Sequence, residues 1–279
     1  MGLLRWSRYG RLTVFYLVLV AVAAVFIAPY IFAIFASFKP LSGVVHDKAW
    51  QPPSHFDTSN FSTVLRSQHF LKYLGNTAMI AVILTVGQVV FSMMGAYAFA
   101  RMRFPGRDAL FWVYLATLMV PNVVTLVPLY IIMNRMHLLN TYWAIFLPYV
   151  LGTPYAIFLI RQYFMTIPEE IIEAARLDGC GEQRILWRVV VPLSKPILMT
   201  ASVIAFTFAW NNFLWPLIVT DSTSLRVATV GISNLNSNFT AQWNLVVAGS
   251  LIALVPMIIV FAIFQKQIVN SIQLTGVNR

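Results

Sequence analysis

Between its charged residues the chain holds six apolar stretches, each long enough to cross a bilayer as a helix. They run 12–38, 73–100, 109–134, 138–160, 196–220 and, at the end of a longer run 227–265, from about residue 243. None contains Asp, Glu, Lys or Arg. Hydrocarbon offers the backbone no water, so such segments satisfy their own amides as helices. The expectation is an all-α integral membrane protein with six transmembrane helices, built as one domain over residues 1–279.

Composition agrees with lipid as the solvent. Hydrophobic residues make up 59% of the chain and charged residues only 10%, against about 25% charged in an ordinary soluble domain. One cysteine, Cys180, excludes an internal disulfide framework and a cysteine-rich metal site. The net charge of +10 does not mark a nucleic-acid binder, because the basic residues form no stripe with interleaved aromatics.

Those basic residues orient the chain instead. Arg5, Arg8 and Arg11 precede the first span, and Arg101, Arg103 and Arg107 lie between the second and third. Arg161, Arg176, Arg184, Arg188 and Lys195 lie between the fourth and fifth, and Lys266 and Arg279 follow the sixth. These are 13 of the 19 Lys and Arg residues, so the positive-inside rule puts both termini in the cytoplasm. The first apolar run follows basic residues and contains Ala21-Val22-Ala23, but it continues to Phe38, too long for a cleavable leader. Pro29, Pro121, Pro128, Pro148, Pro154, Pro216 and Pro256 fall inside the apolar runs and favour bent helices.

The cytoplasmic loop 161–195 carries the sharpest signal. Thr166 and Glu169 have the spacing of a capping box, with Pro168 in the first turn. Glu169, Glu170 and Glu173 suit the positive end of a helix that stops at Asp178-Gly179. A second helix is expected over Glu182–Val190, ended by Pro192. The first helix, about 11 residues and ~16 Å long, is too short to span a membrane. Its three glutamates disfavour a membrane surface. A short cytoplasmic helix with small residues reads as a docking knob for another protein.

Glu173-Ala174-Ala175, Gly179, Val189 and Val191-Pro192 resemble, in type and spacing, the "EAA" loop of binding-protein-dependent ABC importer permeases. The family's usual Ile-x-Leu-Pro ending is Val-x-Val-Pro here. The segment FAWNNFLWPLIVT, Phe208 to Thr220, and the order of spans are similar to the smaller permease of maltose-type carbohydrate importers. The resemblance is weakest over Lys39–Leu71. It implies a coupling helix between spans four and five that sits in a cleft of an ATP-hydrolysing subunit. Glu173 would pair with a basic residue there, Ala174 and Ala175 would permit close contact, and Gly179 would make the turn, with Asp178 and Pro192 completing the coupling set. It further implies a homologous second permease, two ABC ATPase subunits and an extracytoplasmic substrate-binding protein, in a bacterial or archaeal cytoplasmic membrane. The loop Asp221–Gln242 looks like the family's outer segment that enters the binding protein, and the tail Lys266–Arg279 like one near the ATPase.

The rest of the sequence supplies no engine. There is no G-x-x-x-x-G-K-[ST] phosphate loop, and the spans lack the ionisable groups of ion-coupled carriers. No catalytic residue, metal site or cofactor is expected in this chain; ATP and magnesium would be bound by the partner ATPase. His46 and His55, nine apart in a hydrophilic loop, do not make a metal site. Among the amides within the spans, Asn76, Gln88 and Asn122 read as interhelical glue. Asn211 and Asn212, beside Trp210 and Trp215, suit a hydroxylated ligand; Asn211, Asn212 and Trp215 are the candidate path residues. An uncharged path favours a neutral saccharide over a phosphorylated one. The competing reading is a self-sufficient channel or facilitator. A lipid enzyme is disfavoured because the four histidines are scattered.

Overall fold

The computed structural model describes residues 2–48, 50–67, 69–235 and 242–276, and the regular structure among them is entirely helical. In chain order the helices are α1 (Gly2–Ser37), α2 (Leu41–His46), α3 (Ser59–Ser67), α4 (Phe70–Arg101), α5 (Arg107–Ala116), α6 (Asn122–Arg135), α7 (Tyr142–Val150) and α8 (Pro154–Met165). There follow α9 (Glu169–Leu177), α10 (Glu182–Ile185), a wide π-turn (Leu186–Val190), α11 (Val191–Leu193), α12 (Lys195–Trp210), α13 (Leu214–Val219), α14 (Ala228–Asn234) and α15 (Trp243–Gly276). Tyr9–Ser37, Phe70–Arg101, Tyr142–Met165 and Trp243–Gln265 are each long and apolar enough to cross a membrane.

Span three departs from a single rod. Residues 109–134 form two helices, α5 and α6, whose axes differ by 101°. The cause is local: Pro121 has no N–H, and its ring forces Val120 out of the helical region, to φ −81° and ψ 117°. Span five is also broken. α12 has 16 residues, about 24 Å of rise, and stops short of the ~30 Å hydrocarbon core. α13 resumes after Asn211–Phe213.

The chain forms two compact units, Met1–Phe70 with Ile232–Leu254, and Leu71–Gly231 with Val255–Arg279. In the first, Asn60 fastens the end of α1. Its Nδ2 donates to the carbonyls of Ser37 and Lys39 at 2.8 and 2.9 Å, groups that a helix end leaves without partners. Its Oδ1 accepts from Asn244 Nδ2 at 2.6 Å. The phenyl ring of Phe38 meets those of Phe56 and Phe61, and buried Lys39 pairs with Asp47 at 3.2 Å. The stretch after α1 is therefore partly folded and not only a solvated loop. Asn60, which begins a glycosylation sequon, is 4% exposed.

The second unit is organised on α4. Two cores lie along it, one including Met93, Ile160, Phe164, Ile172 and Val190, the other including Leu84, Ile145 and Trp215. α4 approaches α7 closely at Gly87, where an added Cβ would lie 2.3 Å from Val150 Cγ2 and 2.8 Å from Val150 O. Gly152 separates α7 from α8 with φ +96°, and a Cβ there would lie 2.8 Å from Ser92 Oγ. Thr141 and Thr153 cap α7 and α8 by accepting from Ala144 and Ala156 N–H.

Candidate functional site

α9 is an amphipathic helix locked on one face and bare on the other. Ile172 is fully buried among Phe164, Ile185, Leu186 and Val190. Glu170, Glu173, Ala174, Leu177 and Asp178 face outward, and Leu177 is 89% exposed. The two alanines of the motif divide the work. Ala174 lies on the open face, whereas Ala175 is half-buried against the core.

The helix ends in a Schellman motif. Cys180 N–H donates to Ala175 O and Gly179 N–H to Arg176 O, each at 3.0 Å, with Gly179 at φ +77°. A Cβ on Gly179 would meet nothing within 4 Å. Glycine is needed here for its left-handed backbone, not for space within this chain.

The expected capping box does not form. Pro168 is the N-cap residue, with no side-chain cap, while Thr166 turns back and donates its hydroxyl to Tyr163 O. Glu169 is taken by Arg101, at the end of α4. The same guanidinium donates to the carbonyls of Phe164 and Ile167, so one buried arginine completes the end of α8 and holds the start of α9.

The second arm is held from the same helix. Tyr97 donates its hydroxyl to Glu182 Oε2 at 2.5 Å, and Arg176 Nε donates to Glu182 Oε1 at 3.1 Å. Arg176 also stands 3.7 Å from Glu169. Burial acts to raise the Glu182 carboxyl, but the hydrogen bonds from Tyr97 and Arg176 outweigh it and hold it below the ordinary range. Arg176 is raised in turn, chiefly by its hydrogen bond to Glu182. Arg101, Tyr97 and Glu182 were not among the residues singled out from sequence. Their partners are 68 and 85 positions away, and Arg101 read only as a topology signal.

Pro192 is exposed and does not end its arm as expected, because α11 carries on through it to Leu193. Proline cannot donate to Arg188 O four residues back, and the backbone widens into the π-turn Leu186–Val190 just before it. The arm ends at Ser194, where the chain bends by 86° into α12.

The amides within the spans separate into distinct roles. Asn76 is glue, donating to Ser224 O and Arg226 O at 2.9 Å each and accepting from Tyr142 Oη at 3.0 Å. Asn211 is exposed and donates to Thr207 O of its own helix. Asn212 is half-buried, and its carbonyl accepts from Thr229. Trp215, expected to offer its face to a ligand, is 1% exposed and donates its indole N–H to Ala144 O at 2.9 Å; it packs the bundle. Gln88, expected to be glue, is buried with no partner for its Nε2. Gln88 and Asn122 both line a cavity of about 490 Å³. The stretch after α13 is pinned at its start, with Asn140 Oδ1 accepting from the Asp221 and Ser222 N–H groups. Residues 236–241 of that segment and 277–279 of the tail lie outside the described residues.

Comparison with known proteins places this architecture. The chain is 36% identical over 235 residues to the sn-glycerol-3-phosphate transport system permease protein UgpE of Yersinia enterocolitica, covering 84% of this chain and 83% of that one. It is 32% identical over 259 residues to the arabinooligosaccharides transport system permease protein AraQ of Halalkalibacterium halodurans, with 92% of each covered. The fold superposes with TM-score 0.81 and 25% identity on a chain of a bacterial ABC transporter involved in the import of the acidic polysaccharide alginate, covering 93% of this chain and 97% of that one. Residues 88–273 match the family described as binding-protein-dependent transport system inner membrane component. A polytopic helical chain with a locked, one-sided helix between its fourth and fifth apolar segments thus belongs to that family, the membrane permeases of binding-protein-dependent transport systems.

Proposed function

We propose that this chain forms half of the translocation path of an ATP-driven saccharide importer and couples to a cytoplasmic ATPase through α9 and its flanks. The observation that carries the reading is the bare outer face of a helix whose inner face and both ends are fixed. Glu173 and Ala174 lie on that face with Leu177, and Ala175 packs beneath it. Asp178 and Gly179 form the turn, and Pro192 marks the far arm. An exposed leucine beside carboxylates on an otherwise satisfied helix suits a protein partner with an apolar notch and a basic residue.

The assembly comprises this chain, a homologous second permease, two ATPase subunits that bind ATP and magnesium, and an extracytoplasmic binding protein. Both termini lie in the cytoplasm of a bacterial or archaeal inner membrane, and Asn211 and Asn212 border the path. A neutral saccharide is favoured because the six apolar segments hold no basic residue to meet a phosphate.

The test is co-purification in mild detergent of the tagged chain expressed with its native neighbours. An ATPase and a second permease are expected with the wild type, and loss of the ATPase with Gly179→Arg. A chain that purifies alone and passes solute across vesicles without ATP would instead be a facilitator.

A further inference from the structure

We infer that the cavity under Gln88 is a binding subsite for one ring of a neutral sugar, supplied by this subunit itself. The inference rests on the saccharide-importer reading above and adds residues that the sequence had assigned to packing.

Gln88 is 3% exposed, and its Nε2 has no hydrogen-bond partner. A buried carboxamide without a partner costs about 1–3 kcal/mol, and interhelical glue would not leave it so. Its side chain borders a cavity of about 490 Å³, within the ~300–1,000 Å³ typical of small-molecule sites. Asn122 and Thr153 add further polar groups, while Tyr149, Tyr155 and Phe208 supply aromatic wall. The rings of Tyr149 and Phe208 meet edge to face, with centroids 5.8 Å apart. Amides and hydroxyls beside aromatic faces are what a hydroxylated ring binds.

The backbone agrees with the side chains. Two helix breaks open on this cavity, Thr117–Pro121 between α5 and α6 and the residues around Thr153 between α7 and α8. At the first break Thr117–Met119 tightens to a 3-10 turn and Val120 and Pro121 are extended, and broken helices mark transporter binding sites. No residue lining the cavity is charged. A phosphate or carboxylate would enter without a counter-charge, whereas a neutral sugar needs none.

The experiment uses the whole importer in proteoliposomes with its binding protein and ATP. The probes are radiolabelled maltose, cellobiose, xylobiose and arabinotriose, with glycerol 3-phosphate as the anionic arm. For a sugar that the wild type imports, Gln88→Leu is expected to lower uptake about tenfold, the value of one hydrogen bond. Monodeoxy analogues of that sugar give the sharper readout. One of them should lose about tenfold with the wild type and nothing further with Gln88→Leu. Asn122→Leu, at an exposed position, should show the same pattern with a different deoxy analogue, and co-purification of the ATPase shows that each variant is assembled. Unchanged uptake in both assembled variants would mean that the cavity holds only water, overturning the subsite while the importer stands. Import of glycerol 3-phosphate with none of the sugars would overturn the saccharide reading and the subsite together.

Discussion

Tyr97, one turn from the end of α4, donates its hydroxyl to Glu182 at 2.5 Å, across 85 residues of chain. With Arg101–Glu169 and Arg176–Glu182 it makes a chain of charge-assisted bonds linking α4, α9 and α10. Both arms of the hairpin are thereby tied to one long apolar helix. Under the proposed coupling, a push on the outer face of α9 would reach α4 through these bonds.

That clasp has a defined pH range. The folded pKa of Glu182 lies below its ordinary value of 4.5. Its stabilisation is therefore present above the unfolded value and is lost as pH falls through the folded one. Glu182→Gln should lower the melting temperature of the detergent-purified complex, by an amount corresponding to about 1 kcal/mol for a partly exposed carboxylate. Thermal unfolding of both proteins should show the difference in full well above pH 4.5 and shrinking as the pH falls below that value.

Gly179 separates conformation from docking. Alanine there carries the left-handed penalty of about 1–2 kcal/mol with no clash inside the chain. Asparagine tolerates the conformation better. The retained ATPase, measured by quantitative co-purification, should rank wild type, Gly179→Asn, Gly179→Ala and Gly179→Arg in falling order.

Gly87 is needed for space. A methyl group there would overlap Val150 at both its side chain and its backbone carbonyl, so Gly87→Ala should destabilise the bundle by about 1–3 kcal/mol. Thermal unfolding in detergent checks this, and Gly75→Ala, where nothing lies within 4 Å, is the control.

Asn76 pins the stretch after α13 through two carbonyls, those of Ser224 and Arg226. Asn76→Ala leaves both without that donor, a cost of about 1–3 kcal/mol. Limited proteolysis should cut the segment 221–227 faster in the variant, while cleavage elsewhere stays unchanged.

The apolar segments and the one-sided helix after span four were legible because lipid and helix periodicity both leave local marks. The bend at Pro121 was legible as a proline but not as a right-angle break, since its size depends on how α5 and α6 pack. The clasp was not legible, because the partners of Tyr97 and Arg101 are distant in sequence and each residue looks ordinary alone. Trp215 lies buried in the packing and Gln88 beside a cavity, placements that were not legible for a similar reason. An aromatic ring and an amide each suit packing or a ligand, and only the location of Ala144 O beside one and of a cavity beside the other decides. Thr166 failed as a cap because its hydroxyl turns back to Tyr163 O, the carbonyl that also accepts its backbone N–H at the end of α8.

The most direct measurement is ATP-driven uptake by the importer reconstituted with this chain as wild type or Glu173→Lys. Reversing a charge on the bare face of α9 places like charges together at the proposed contact, a penalty of several kcal/mol, while leaving the clasp and the spans untouched. The expected result is uptake reduced at least about tenfold with the chain still inserted in the membrane. Uptake at the wild-type rate would contradict coupling through this face.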